Sequence, residues 1–281
     1  VTDVLIYEVR GPIAWLTMNR PEARNAQDTA LIDAIDAALD RADADDDIRV
    51  VVLAGAGEHW SAGHDLKALL SDADEWARMR ATAEGKWRHE EVMYAGRCER
   101  LYHFRKPTIA AVQGACVAAG MMLASMCDLI VAADDAFFAN PVARMTGVGV
   151  ELLVEPWELG FRKAKEFLLT GDRIDAHEAW RLGLVNRVVP RSELDAQTQT
   201  LAEQVAQVPP MTAEMTKRSI NQAAALAGKE HSWRYHFALH QYASNTETAL
   251  RANEERRANS RFVQGKSEPA SGDPAPSGDG G

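Results

Sequence analysis

Two short runs of small residues could support chemistry on an anionic oxygen. The first is HWSAGHDLKAL, His59 to Leu69, in which Ser61, Ala62 and Gly63 lie between a strand-like segment and a helix start at Asp65. The second is VQGACVAAGMMLASMCD, Val112 to Asp128, in which Ala118-Ala119-Gly120 opens an apolar helix. A turn leading into a helix leaves backbone N–H groups without intrahelical partners, free to bind an anionic oxygen. Two such turns facing each other would form an oxyanion hole of two backbone donors, usually the largest single contribution to stabilising an enolate or a tetrahedral oxyanion. No carboxylate falls inside the apolar segment itself: the second run has none before Asp128. Any proton-transfer group must come from elsewhere in the chain. On residue types alone, two ordinary strand–helix turns fit the same pattern.

Other constellations are weaker. Ser61, His64 and Asp65 contain the residue types of a nucleophilic triad, but adjacency in sequence is not triad geometry. HSWRYHFALH places His236 and His240 at i, i+4. It lacks a third ligand and the glutamate of an HExxH motif, so no metal site is expected. Gly55-Ala56-Gly57 is a strand-end turn with no GK[ST] ending, not a phosphate loop. Cys98, Cys116 and Cys127 show no CxxC spacing and read as buried small hydrophobes in a reducing cytosol.

The elements that must position these turns follow from periodicity. VLIYEV (4–9) and IAWLTM (13–18), either side of Gly11-Pro12, predict a hairpin. Residues 28–42 place Leu31, Ile32, Ile35, Ala38 and Leu39 on one helical face. IRVVVLAGAG (48–57), PTIAAVQG (107–114) and DLIVAAD (128–134) are β-branched or apolar runs typical of strands buried on both faces. Their alternation with helices predicts a mainly parallel α/β sheet covered by helices. Residues 71–104 read as a polar helical segment carrying Trp76, Met79, Trp87, Met93 and Tyr94. The expected organisation is a βαβ core over 1–200, a helical region over 201–262 broken at Pro209-Pro210, and a disordered Gly/Pro/Ser/Asp-rich tail over 263–281.

The 281 residues are 46% hydrophobic, enough for one large core, and the net charge of −10 argues against a nucleic-acid partner, which needs a basic face. The opening VTDVLIYEVRGPIAW lacks a basic start and a small-residue cleavage site, and no apolar run reaches membrane-spanning length. A cytoplasmic protein without a membrane partner is expected.

Four segments together resemble the enoyl-CoA hydratase/isomerase, or crotonase, family: NRPEARNA (19–26), HWSAGHDLKAL (59–69), RKPTIAAVQGACVAAGMMLASMCDLIVAADDAFFANP (105–141) and LTGDRIDAHEAWRLGLVNRVVP (169–190). The resemblance spans about residues 4–262 in family order. It implies a crotonase-like spiral of βαβ units with a helical C-terminal trimerisation region, assembled as a homotrimer or a dimer of trimers. It implies an acyl-CoA substrate, coenzyme A being part of the substrate and no prosthetic group being needed. The thioester carbonyl would be held by the N–H groups of His64 and Ala119. Coenzyme A contacts would match Ala23, Arg24, Ser61 and Ala62, with Arg257 approaching the ribose phosphate; solvated surface charge is the plain reading of both arginines.

This sequence departs from the family at its two hydratase glutamates, which are replaced by Met122 and Val142. Neither side chain transfers protons, so isomerisation or hydrolytic C–C cleavage is favoured over hydration. The loop ARMTGVGVELLVEPWELG offers Glu151, flanked by apolar residues, as the replacement acid, with a raised pKa expected from partial burial. Glu155 and Glu158 stand behind it, and a solvated or salt-bridged Glu151 is the bland alternative. A side-chain role for His64 and a pocket role for His59, Trp60 and the aromatic residues of 71–104 are secondary expectations. The competing class is a non-catalytic protein that binds coenzyme A esters with a decayed site.

Overall fold

The structure is a computed structural model describing residues 3–67, 82–145 and 147–265, with the backbone alone for 257 and 259–265. Strands β1 (Leu5–Arg10) and β2 (Ile13–Met18) form the expected antiparallel hairpin. Strands β3 (Val50–Gly55), β4 (Thr108–Val112), β6 (Leu129–Ala133) and β9 (Arg187–Val189) continue from β2 in parallel, giving a six-stranded sheet of order β1-β2-β3-β4-β6-β9. A smaller sheet joins β5 (Ala115–Val117), β7 (Phe137–Ala139) and β8 (Ile174–Asp175).

The continuous apolar runs are explained by the covering of both sheet faces. Because strand side chains alternate, Leu16, Val51, Leu53, Ala110, Val112 and Ile130 enter the main core. Ile13, Trp15, Val50, Val52, Ile109 and Val131 enter a second cluster on the opposite face. Helix α1 (Thr29–Ala44) closes the main core with Leu31, Ile35, Ala38 and Leu39, and Asp28 caps its start by accepting from Leu31 N at 2.9 Å. The second face is closed by Leu194, Leu201 and Ala202 of a helix over Leu194–Ala206. The expected boundary at 200/201 therefore falls inside a helix that packs on the sheet.

Segment 71–104 is described from residue 82. It contains α2 (Ala83–Glu90), a π-turn over Glu91–Gly96 and α3 (Arg97–Tyr102). Trp76 and Met79 lie outside the described residues, as do 266–281 of the expected tail. After the helix α4 (Ala119–Ser125) come α5 (Glu155–Leu159), α6 (Phe161–Thr170) and α7 (Ala176–Leu182), followed by α8, the sheet-covering helix of 194–206. The C-terminal region is α9 (Pro210–Leu226), α10 (Lys229–Ser244) and α11 (Glu247–Gly265). Lys217 anchors α9 through a 2.8 Å ion pair with Asp128, while Met211, Met215, Ile220 and Leu226 of the same helix are exposed. Among the described residues no helix is long and apolar enough to cross a membrane.

Candidate active site

The two glycine-containing turns meet. The segment after β3 pairs with the segment after β4: Trp60 N donates to Gln113 O at 2.8 Å, Ser61 N to Ala115 O at 3.0 Å and Val117 N to Ser61 O at 3.0 Å. On the other side, Ala62 N donates to Arg24 O and Gln27 N to Gly63 O, at 2.9 and 2.7 Å. The 61–64 turn is thus held between the NRPEARNA segment and β5. Gly63 is required there: its φ is +88°, and a Cβ would lie 2.8 Å from Val117 O and 3.1 Å from Ala119 N. The two turns therefore lie too close together to admit a side chain at position 63.

Gln27 bonds to the residues flanking His64, accepting from Asp65 N at 3.0 Å as well as donating to Gly63 O. In a parallel bridge this directs the N–H of His64 away from Gln27. Ala119 is the first residue of α4, where an N–H has no intrahelical acceptor. Neither N–H has an acceptor among the described residues. Ala118 just before it adopts φ 51°, ψ −117°, a left-handed conformation unusual for a residue with a Cβ.

Glu151 comes from the loop before α5. Both of its oxygens face His64 Nε2, at 3.0 and 3.2 Å. The loop is fastened from α10: His236 Nε2 donates to Val150 O at 2.8 Å and His240 Nδ1 to Gly149 O at 3.0 Å. Met122 takes part as well, its sulfur accepting from Leu152 N at 3.3 Å. On its far side His240 Nε2 meets Glu90 Oε2 at 3.2 Å, and Gln241 Nε2 donates to the same oxygen at 2.5 Å. With acceptors at both ring nitrogens, His240 carries two hydrogens. Burial pushes its pKa down, but Glu90 and Glu151 outweigh that and hold it raised.

The expectation of a partly buried Glu151 with a raised pKa is corrected. Glu151 is only 3% exposed, and although burial pushes its pKa up, the charge and hydrogen bonding of His64, helped by His240, bring it down to about 2. The carboxyl that burial does raise is Glu155, whose one bonded oxygen accepts from Asn140 Nδ2 at 2.7 Å. Glu158 pairs with Lys229 at 3.2 Å.

The remaining expected residues divide. His64, Ala119 and Glu151 come together; Ala23, Arg24 and Ala62 cluster at the turn's other side, with Arg24 exposed. Ser61 is fully buried, its hydroxyl donating to Asn25 O at 2.9 Å and accepting from Gly63 N at 3.2 Å. Arg257 lies on α11, and its side chain is outside the described residues. Ser61, His64 and Asp65 make no triad, since Asp65 pairs with Arg20 at 3.0 Å and His64 with Glu151. Trp60 is a core residue, and His59 accepts from Ala115 N at 3.3 Å. Met93 and Tyr94 line a cavity of about 30 Å³ together with Gln27, His64, Cys98 and Met122, whereas Trp87 packs edge-on against Phe237. The three cysteines are free and buried, their thiols pushed up by burial.

Sequence reasoning did not find Glu90 or Gln241, which lie roughly sixty to ninety residues from Glu151 along the chain and carry no motif. His236 and His240 stood out by spacing, but they fasten the Glu151 loop rather than act as a ligand pair. Glu90, Glu151 and His240 do present three ligand-type atoms within 4.8 Å of one another. Both carboxylates are already engaged by imidazoles, Glu151 by His64 and Glu90 by His240.

A parallel-sheet core with two adjoining strand–helix turns, backed by a helical C-terminal region, defines a crotonase-type enzyme fold. The enoyl-CoA hydratase/isomerase family profile matches residues 8–261, and the chain belongs to that family. It is 41% identical over 244 residues to the putative enoyl-CoA hydratase EchA13 of Mycobacterium tuberculosis, covering 82% of this chain and 77% of the relative. A probable enoyl-CoA hydratase from Mycobacterium smegmatis superposes with a TM-score of 0.83 at 43% identity, covering 89% of this chain and 98% of the other. An enoyl-CoA hydratase/isomerase from Xanthobacter autotrophicus Py2 gives a TM-score of 0.83 at 32% identity, covering 95% and 97%. The family is enzymatic and acts on acyl-CoA substrates.

Proposed function

We propose that this protein generates an enolate, or a tetrahedral oxyanion, from an acyl-CoA thioester whose carbonyl oxygen is bound by the N–H groups of His64 and Ala119. The observation that supports this reading is a pair of backbone N–H groups without acceptors among the described residues, on two adjoining turns beside the buried His64–Glu151 pair. Donors fixed before reaction cost no reorganisation as charge develops. Glu151 is the carboxylate of the proton-transfer centre.

Met122 and Val142 stand where the family resemblance locates the two hydratase glutamates, and Met122 is spent on Leu152 N. A single carboxylate centre suits isomerisation or hydrolytic C–C cleavage better than hydration with two carboxylates. Coenzyme A enters as part of the substrate, near Ala23, Arg24 and Ala62, with Arg257 at the ribose phosphate. The protein acts in the cytoplasm as a homotrimer or dimer of trimers, with α9 and its exposed apolar residues at the interface.

The test is mass spectrometry of saturated and unsaturated acyl-CoA esters incubated with the protein in deuterated water. Deuterium at the α-carbon, or the mass change of isomerisation or cleavage, supports the reading. Esters that bind without exchange or turnover overturn it in favour of a non-catalytic binder, the reading that the paired loss of both glutamate positions favours.

A further inference from the structure

We infer that the group moving the proton in this site is the imidazole of His64, acting through Nδ1, and that Glu151 is the positioning residue that holds the opposite nitrogen. This rests on the enolate reading above and assigns roles within it.

Glu151 is badly placed to touch a substrate. Both of its oxygens face the same nitrogen of His64, it is buried, and it does not line the cavity beside His64. An ionised carboxylate only accepts hydrogen bonds, so the nitrogen between its oxygens must carry the hydrogen. Glu151 accepts from His64 through both oxygens and its pKa is lowered from the ordinary carboxyl value, so it is the ionised partner of the pair. With hydrogen on Nε2, the neutral ring keeps its lone pair on Nδ1. That atom is shielded from solvent and has no hydrogen-bond partner among the described residues. A buried polar atom left without a partner needs an explanation, and an approaching acidic C–H or O–H supplies one.

The location fits the chemistry. Nδ1 is the ring nitrogen nearer to its own backbone, so the base and one oxyanion donor belong to the same residue. The ring stacks obliquely on Tyr94, centroids 4.1 Å apart, and His64 lines the cavity with Met93, Met122 and Gln27. The carboxylate in the same lining, Asp36, is paired with Arg97 and Arg100. In the step, Nδ1 takes a proton from the α-carbon of the acyl group. The C–H bonding pair moves into the enolate, whose oxygen is held by the N–H groups of His64 and Ala119. The ring becomes an imidazolium whose Nε2–H remains on Glu151. Returning that proton to the same carbon gives exchange, and returning it to the γ-carbon of an enoyl ester gives isomerisation. No other reactant is needed. A carboxylate holding the far nitrogen of a catalytic imidazole keeps the productive tautomer, and loss of that hold in a serine protease costs about 10⁴-fold.

The experiment follows α-carbon exchange of acetyl-, butyryl-, octanoyl- and phenylacetyl-CoA in deuterated water for the full-length protein, His64→Gln and Glu151→Gln. Alongside it, nitrogen-15 NMR of the wild-type protein reads which nitrogen of His64 is protonated. His64→Gln keeps the backbone donor and removes the base, so exchange should fall by about 100-fold or more while ester affinity changes little. Glu151→Gln should lower exchange by at least about tenfold and populate both tautomers. Wild-type NMR should show a hydrogen on Nε2 and an unprotonated Nδ1 at neutral pH. Exchange that survives in His64→Gln overturns the assignment, as does exchange lost only in Glu151→Gln. If the wild-type protein exchanges no ester that it binds, the enolate reading itself fails. The tautomer spectrum then still judges the pair, because a hydrogen on Nδ1 contradicts it whatever the activity and whether or not either variant folds.

Discussion

His64 and Glu151 are 87 residues apart in sequence, yet the imidazole Nε2 of one lies 3.0 Å from the carboxylate of the other, inside the fold. The contact joins the turn after β3 to the loop before α5, which carries Glu151. It also bears on the pKa of that acid: burial pushes the carboxyl up, and the hydrogen bond to His64, the charge of that ring when protonated and the charge of His240 together bring it down.

A first prediction concerns that pair and pH. The folded pKa of Glu151, about 2, lies below the ordinary 4.5, so its contribution to stability is full above pH 4.5 and is lost as pH falls toward 2. Glu151→Gln should cost about 3 kcal/mol at pH 7, the scale for breaking a buried pair. The deficit relative to wild type should shrink as pH falls from 4.5 to 2. Urea titrations over that range check it, and a deficit independent of pH would show that the charge is not the cause.

Glu155 predicts the opposite slope. Its raised pKa means that the folded state holds a proton the unfolded state releases above pH 4.5. Glu155→Gln can still accept the Asn140 hydrogen bond and carries no charge to bury. Its melting temperature relative to wild type should therefore improve as pH rises from 4.5 to 8. A constant difference across that range would remove the proton linkage.

Ala118 is held at φ 51°, ψ −117°, where a Cβ is strained and glycine is not. Ala118→Gly keeps the bond from its N–H to Ala139 O. It should stabilise the protein by about 1 kcal/mol, read as a melting temperature higher by about 2–4 °C. A lower melting temperature would show that the alanine methyl packs usefully against the partly buried surroundings of the turn.

His236 fastens the loop that carries Glu151 without touching the carboxylate. His236→Ala should cost about 1–3 kcal/mol from the buried Val150 carbonyl left unbonded. It should also lower turnover more than ester affinity, because the loop and not the oxyanion donors is released. Equal losses in both would place the effect in global stability.

Helix α9 exposes Met211, Met215, Ile220 and Leu226, while its buried contact with the body is Lys217. Exposed apolar side chains in such number on one helix point to an interface. If α9 forms the proposed trimer interface, Ile220→Asp should lower the mass in light scattering toward that of a monomer. An unchanged mass would remove α9 from the interface.

Much of the architecture was legible in the sequence. The hairpin, α1, β3, β4, α4 and β6 follow from apolar runs and helical periodicity long enough to register a period. Strands β5, β7, β8 and β9 are two or three residues long and show no period, so the smaller sheet went unseen. The end of the core was misplaced because α8 is amphipathic like the helices after it. Only the second cluster, with Leu194, Leu201 and Ala202 against β3 and β4, shows that it belongs to the sheet.

The active site divides along the same line. Local sequence determined the two turns, because a glycine under a crowded carbonyl and an N–H at a helix start are properties of a few adjacent residues. It also determined that no acid lies in the apolar segment behind them. Tertiary structure decided the rest. Whether Glu151 is protonated or ionised depends on the sum of desolvation, hydrogen bonding and nearby charge, and the groups that supply the last two, His64 and His240, lie far away along the chain. A run of apolar neighbours forecasts burial; it contains no information about which cation the fold will bring to meet the carboxylate.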